Sequence, residues 1–198
     1  KLVVLYASNK EAQHSYIQIA KNKGYEVLLL DSPIISHLIQ KIESDNTNIT
    51  FVRVDSDSID KLIKKEETSI SKLSDDEKET LKTVLEGFVP KQKYSVQMEA
   101  LDSNDAPFMI TQPEFMRRMK EMSQSGGGGM FGMGNMPEMY NLVVNINSEL
   151  ASNILNSSDS ATQENLVKQA LDLAKLSQNL LKGEELTAFV KRSFELIK

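Results

Sequence analysis

An α/β unit followed by an α+β unit is the fold class this sequence predicts, and three observations carry it. Over residues 1–55, continuous apolar runs alternate with amphipathic helical patterns, as a small three-stranded parallel βαβαβ unit requires. From Tyr94 the apolar period drops to two: Tyr94, Val96 and Met98 alternate, as do Tyr140, Leu142, Val144 and Ile146. Over residues 161–197 the period returns to that of a helix and is broken once, at Gly183.

The elements follow in order. Residues 2–5 and 27–30 are continuous apolar runs, expected as parallel strands covered on both faces. Ser8-Asn9-Lys10-Glu11 has the capping-box pattern that opens a helix, and Gly24 closes it. Ser32-Pro33 opens a second helix with Ile34, Ile35, Leu38, Ile39 and Ile42 at helical spacing. Residues 49–54 read as the third strand. Ser74-Asp75-Asp76-Glu77 is a further capping box, before Leu81, Val84, Leu85 and Phe88. The charged stretch 64–74 reads as a linker, which divides the chain at 1–68 and 69–198. The second unit is expected to hold a small, mostly antiparallel sheet, with residues 108–110 as a short strand between the alternating ones. Helices would cover it on one side, and the chain would finish in a helical hairpin. Ser160 to Gln163 is the expected cap of that hairpin's first helix.

The hairpin carries the stripe Leu166, Ala170, Leu173, Leu180, Leu186, Phe189, Val190, Phe194 and Ile197. With Val167, Leu171 and Leu181 it covers more than one face, so a hairpin folded on itself leaves part in water. The rest of the chain or a second copy would cover the remainder; burial of each large side chain is worth roughly 1.5–3 kcal/mol.

Composition excludes several classes. The 198 residues carry 23 Lys and Arg against 28 Asp and Glu, a net charge of -5 with the signs mixed. Nucleic-acid binding by a clustered basic face is therefore not expected. With no cysteine, disulfides and thiolate metal sites are excluded. No apolar run reaches the roughly 20 residues of a membrane span, and no membrane partner is expected. Lys1 precedes the strand Leu2-Val3-Val4-Leu5 directly, so a longer natural chain is expected.

Seven of the nine methionines lie between positions 116 and 139. Thr111-Gln112-Pro113-Glu114 opens a helix in which Phe115, Met119 and Met122 share a stripe, with Met116 beside it and Arg117, Arg118 and Lys120 opposite. These apolar groups serve either as a contact surface or as ordinary core filler. Beyond them, Gly126 to Gly129 and the sequence Met130-Phe131-Gly132-Met133 predict an exposed, mobile segment that includes Met136. Methionine is unbranched and polarizable and suits surfaces that accept many partners, unfolded chains among them. Gly127, Gly129 and Gly132 match a dinucleotide fingerprint only by accident, because a helix precedes them and Pro137 follows.

No catalytic constellation stands out. His14 and His37 are the only histidines, without carboxylates beside them at ligand spacing, so no metal site is expected. No cofactor is expected either. A small-molecule enzyme built on residues 1–55 and a hairpin adaptor for another protein's helix are the competing readings.

The run Leu171 to Ile197, with Lys182-Gly183-Glu184-Glu185-Leu186 at its centre, resembles the C-terminal dimerisation helices of the heat shock protein 90 family in its bacterial, HtpG-type form. Tyr25 to Asp31 resembles the end of that family's middle domain. Phe115-Met116-Arg117-Arg118-Met119 resembles the start of its amphipathic, client-contacting helix, and Leu142 to Asn147 the strand before the dimer helices. The resemblance implies a cytoplasmic, homodimeric, ATP-dependent chaperone whose nucleotide pocket and catalytic arginine fall outside these residues. This stretch would then be no enzyme, while the whole protein holds ATP and Mg. It implies a dimeric four-helix bundle from the hairpin, with the stripe above as interface. It also implies client contact at Phe115, Met116, Met119 and Met122, and by extension Met130, Phe131, Met133 and Met136. Asn147 is followed by Ser148-Glu149 where the family often has His-Pro. The acidic tail that docks helical-repeat co-chaperones is not seen, so no such partner is expected.

Overall fold

A computed structural model of the chain describes residues 1–63, 69–125 and 139–197. The elements run β1 (Leu2–Ala7), α1 (His14–Asn22), β2 (Leu28–Leu29), α2 (Ile35–Asp45), β3 (Ile49–Arg53), α3 (Ile59–Leu62) and α4 (Asp75–Phe88). They continue as β4 (Tyr94–Glu99), β5 (Phe108–Thr111), α5 (Glu114–Ser125), β6 (Tyr140–Asn145), α6 (Glu149–Asn156), α7 (Ser160–Ser177) and α8 (Gly183–Leu196). Two compact units result: Lys1–Glu67 with Thr111–Asn141, and Thr68–Ile110 with Leu142–Lys198. Helix α5 thus clusters with the first unit, although it lies between strands of the second sheet in the sequence.

The first unit is built on a parallel sheet of order β2-β1-β3. Alternation along the central strand sends its side chains to two cores. Leu5 and Ala7 pack with Tyr16, Ala20, Val54 and Ile59 on one face, and Tyr6 packs with Ile39 and Phe51 on the other. The expected second strand shrinks to two residues at the sheet edge, and Leu28 and Leu29 are exposed there instead of covered. An apolar run reports β-propensity, but it does not say whether a strand is central or at an edge. The first helix also begins later than its capping box suggests. Asn9 Oδ1 accepts from the N–H groups of Glu11 and Ala12, and Gln13 Oε1 accepts from those of Ser8 and Asn9. These local bonds hold residues 10–13 in turns and delay the helix to His14.

In the second unit, α4 opens as its sequence dictates. Ser74 Oγ accepts from the Glu77 N–H, and the Glu77 carboxylate accepts from the Ser74 N–H. The three strands lie in the order β4-β6-β5 and form a mixed sheet, not the mostly antiparallel one expected. Period-two alternation shows that one face is covered and says nothing about direction. The core combines Leu81 and Leu85 of α4, Leu142 and Val144 of β6, Ile154 of α6 and Val167 of α7.

A buried polar knot closes β6. Asn145 Nδ2 donates to the Asp102 carbonyl at 2.7 Å, and its Oδ1 accepts from the Leu101 and Asn147 N–H groups. Asn147 in turn donates to the carbonyls of Ile70 and Leu101 and accepts from the Lys72 N–H. Ser148 then caps α6, its Oγ accepting from the Ala151 N–H. Each amide side chain here pairs backbone groups of loops that have no ladder partner, which buried polar groups demand.

Candidate functional site

Chemistry-bearing clusters are scarce among the described residues. None of them forms a group of three or more potential metal ligands. His14 and His37 are both exposed. No helix among the described residues is long and apolar enough to cross a membrane. Two of the apolar surfaces exposed among the described residues fall where contact was expected.

The first is the hairpin α7–α8. Asp159, not Ser160, caps α7, accepting from the N–H groups of Ala161 and Thr162. The Thr162 hydroxyl and these two backbone donors hold the Asp159 carboxyl below its usual range. Gln163 does not complete a capping box; its amide donates to the carbonyls of Ile154 and Ser157. The helix ends at a left-handed Asn179, φ 55°, with the Asn179 N–H on the Leu176 carbonyl and the Leu180 N–H on that of Lys175. This is a Schellman closure made with asparagine, four residues before the glycine expected to serve. Gly183 is also left-handed, φ 57°, but it starts α8.

Polar bonds fix α8 on α7. Arg192 donates to Asp172 at 2.7 Å and to Gln169 at 2.9 Å, and Gln169 donates to Ser193. The buried Lys175 donates to Asp172 and Glu185. Around this seam the apolar stripe divides. Ala170 and Phe189 are closed off within the protomer, and Leu166, Leu180 and Leu186 are half-buried. Leu173, Val190, Phe194 and Ile197 stay open at 51, 42, 64 and 79 % exposure, and Leu176 joins them at 43 %.

The second place is α5, seated on the first unit by charges. Arg117, expected opposite the apolar stripe, is buried. Its Nη2 donates to the Tyr6 hydroxyl at 2.6 Å and to Glu114 Oε1, and its guanidinium lies 5.8 Å from the Tyr6 ring centre. Arg118 donates to Glu114 at 2.7 Å, to Glu43 of α2 at 2.8 Å and to the Phe51 carbonyl of β3 at 2.8 Å. The Phe51 N–H donates back to Glu43 at 2.7 Å. Burial, with the nearby Glu114 carboxylate, pushes the Tyr6 phenol up to about 12. On the stripe, Phe115 is 69 % exposed, while Met116 and Met119 are half-buried. Met122 is on α5, but its side chain is not described; Met130, Phe131, Met133 and Met136 lie outside the described residues.

At both places, exposed apolar side chains stand on helices held by ion pairs. Comparison with known proteins says what kind of protein carries them. No family model matches the chain. It is 33% identical to the chaperone protein HtpG of Bacteroides thetaiotaomicron over 263 aligned positions, covering 99% of this chain and 38% of that protein. The HtpG of Bacteroides fragilis matches to the same extent, 33% identical. The HtpG of Porphyromonas gingivalis is 38% identical over 179 positions, 89% of this chain and 26% of that protein. The chain belongs to the HtpG chaperone family. It spans less than two fifths of the length of these curated relatives.

Proposed function

We propose that this chain is the dimerisation and client-contacting portion of a molecular chaperone that assists protein folding. Residues 69–198 would act as its dimerisation domain and residues 1–68 as the end of the preceding domain. The observation that carries the reading is the apolar face that the hairpin leaves open: Leu173, Leu176, Val190, Phe194 and Ile197. Ala170 and Phe189 are covered within the protomer, so they would support this face from behind. A twofold mate would present the same residues in return, and the two hairpins would form a four-helix bundle. Phe115 and the α5 stripe would meet unfolded or partly folded clients, twice per dimer. ATP and Mg would be held elsewhere in the longer cytoplasmic protein, whose two halves this tether keeps at high effective concentration.

Sedimentation velocity tests the reading. At micromolar concentration the 198-residue chain is expected to run at twice its 22.2 kDa mass. Phe194→Ser removes burial worth up to about 1.5 kcal/mol on each side of the axis, which weakens the dimer roughly 100-fold. A chain that stays monomeric, or a variant that dimerises as tightly, sinks the assignment.

A further inference from the structure

The charged residues at the start of α5 do something that the apolar stripe cannot do for itself. Glu114, Arg117 and Arg118 lie on one side of the helix, centred roughly a third of a turn from Phe115, Met119 and Met122 at 100° per residue. They are not a solvated face. Arg117 reaches Tyr6 of the central strand; Arg118 forks between Glu43 of α2 and the Phe51 carbonyl of β3. Glu114 ties both arginines together on the helix itself. All three anchor points off the helix, Tyr6, Glu43 and the Phe51 carbonyl, belong to the first unit.

We infer that Tyr6, Glu43, Arg117 and Arg118 are positioning residues, a polar clamp that seats α5 on the parallel sheet and fixes the direction in which Phe115 faces. The physical reason is geometric. An apolar helix face can slide on a sheet, because the hydrophobic effect is non-directional. A guanidinium shared between a carboxylate and a carbonyl has one orientation, set by its planar fork of donors. Burial makes that choice strict, since a buried Arg117 without its partners would be left uncompensated. Fixing the helix before a client arrives removes ordering cost from binding. This inference rests on the client reading above.

The test uses the 198-residue chain with Arg118→Ala, Glu43→Gln, the double variant, and Lys41→Ala as a control. Lys41 sits on the same helix α2 in an exposed pair with Asp45. Hydrogen exchange of residues 114–119 reads the seating, and exchange of β1 reads the fold. Binding of a reduced, carboxymethylated globular protein reads client contact. In either single variant, α5 amides should exchange about tenfold faster, as the loss of a charge-assisted hydrogen bond implies. β1 and the control should be unchanged, and the double variant should be little worse than the singles. Probe affinity should fall roughly three- to tenfold as preorganisation is lost.

Unchanged exchange in α5, or fully additive effects in the double variant, overturns the clamp. Faster exchange with unchanged probe affinity overturns its positioning role. An unsubstituted chain that does not bind the probe overturns the client reading by itself, with the exchange data still deciding the clamp.

Discussion

Glu43 shows how one side chain joins stability to pH. Burial alone would raise its carboxyl pKa, but the bonds from Arg118 and from the Phe51 N–H, with the charges of Arg118 and Lys1, hold it below the ordinary 4.5. A carboxylate whose folded pKa is depressed binds its proton more weakly when folded. Its contribution is present above the unfolded value and is lost as pH falls through the folded one. The first unit should therefore lose urea resistance as pH drops below about 4.5, and Glu43→Gln should flatten that limb. An acid limb as steep in the variant as in the unsubstituted chain would show that other carboxylates dominate. The knot of Asn145 and Asn147 belongs to the same scale. Its residue types were in plain view, but its partners at Ile70, Lys72 and Leu101 lie far away in the chain.

Among the elements, the hairpin turn is the informative case. The sequence offers Gly183 as a stop, yet α7 closes at Asn179, because asparagine tolerates the left-handed region and Leu180 completes the motif. Asn179→Gly should leave urea stability within about 0.5 kcal/mol, since glycine accepts the same φ freely. Asn179→Val should cost roughly 1–2 kcal/mol, the penalty of a branched residue at positive φ. Equal stability of the two variants would mean that the turn relaxes elsewhere. Helix α4, by contrast, was legible to its first residue, because both halves of its capping box are local. Helix α6 was missed, although Ser148 ahead of Glu149 is a cap followed by an acidic first turn.

For the whole molecule, the proposed dimer makes stability depend on concentration. A face buried only in the associated state stabilises by mass action, so the thermal midpoint should rise with protein concentration from micromolar upward. Phe194→Ser should remove most of that slope. A midpoint independent of concentration in the unsubstituted chain would contradict the shared face.

The sequence by itself determined what is short-ranged: the three parallel strands of the first unit, the helical period of the hairpin, the capping of α4, and a family resemblance that homologues at 33–38% identity establish. Those features follow from periodicity and from neighbours within one turn. Tertiary structure decided which strand is central, how the second sheet runs, which part of the hairpin stripe stays open, and what Arg117 and Arg118 are anchored to. Each of these depends on groups brought together from distant parts of the chain. A period can show that one face of a helix is apolar, but only the packed chain shows what covers it.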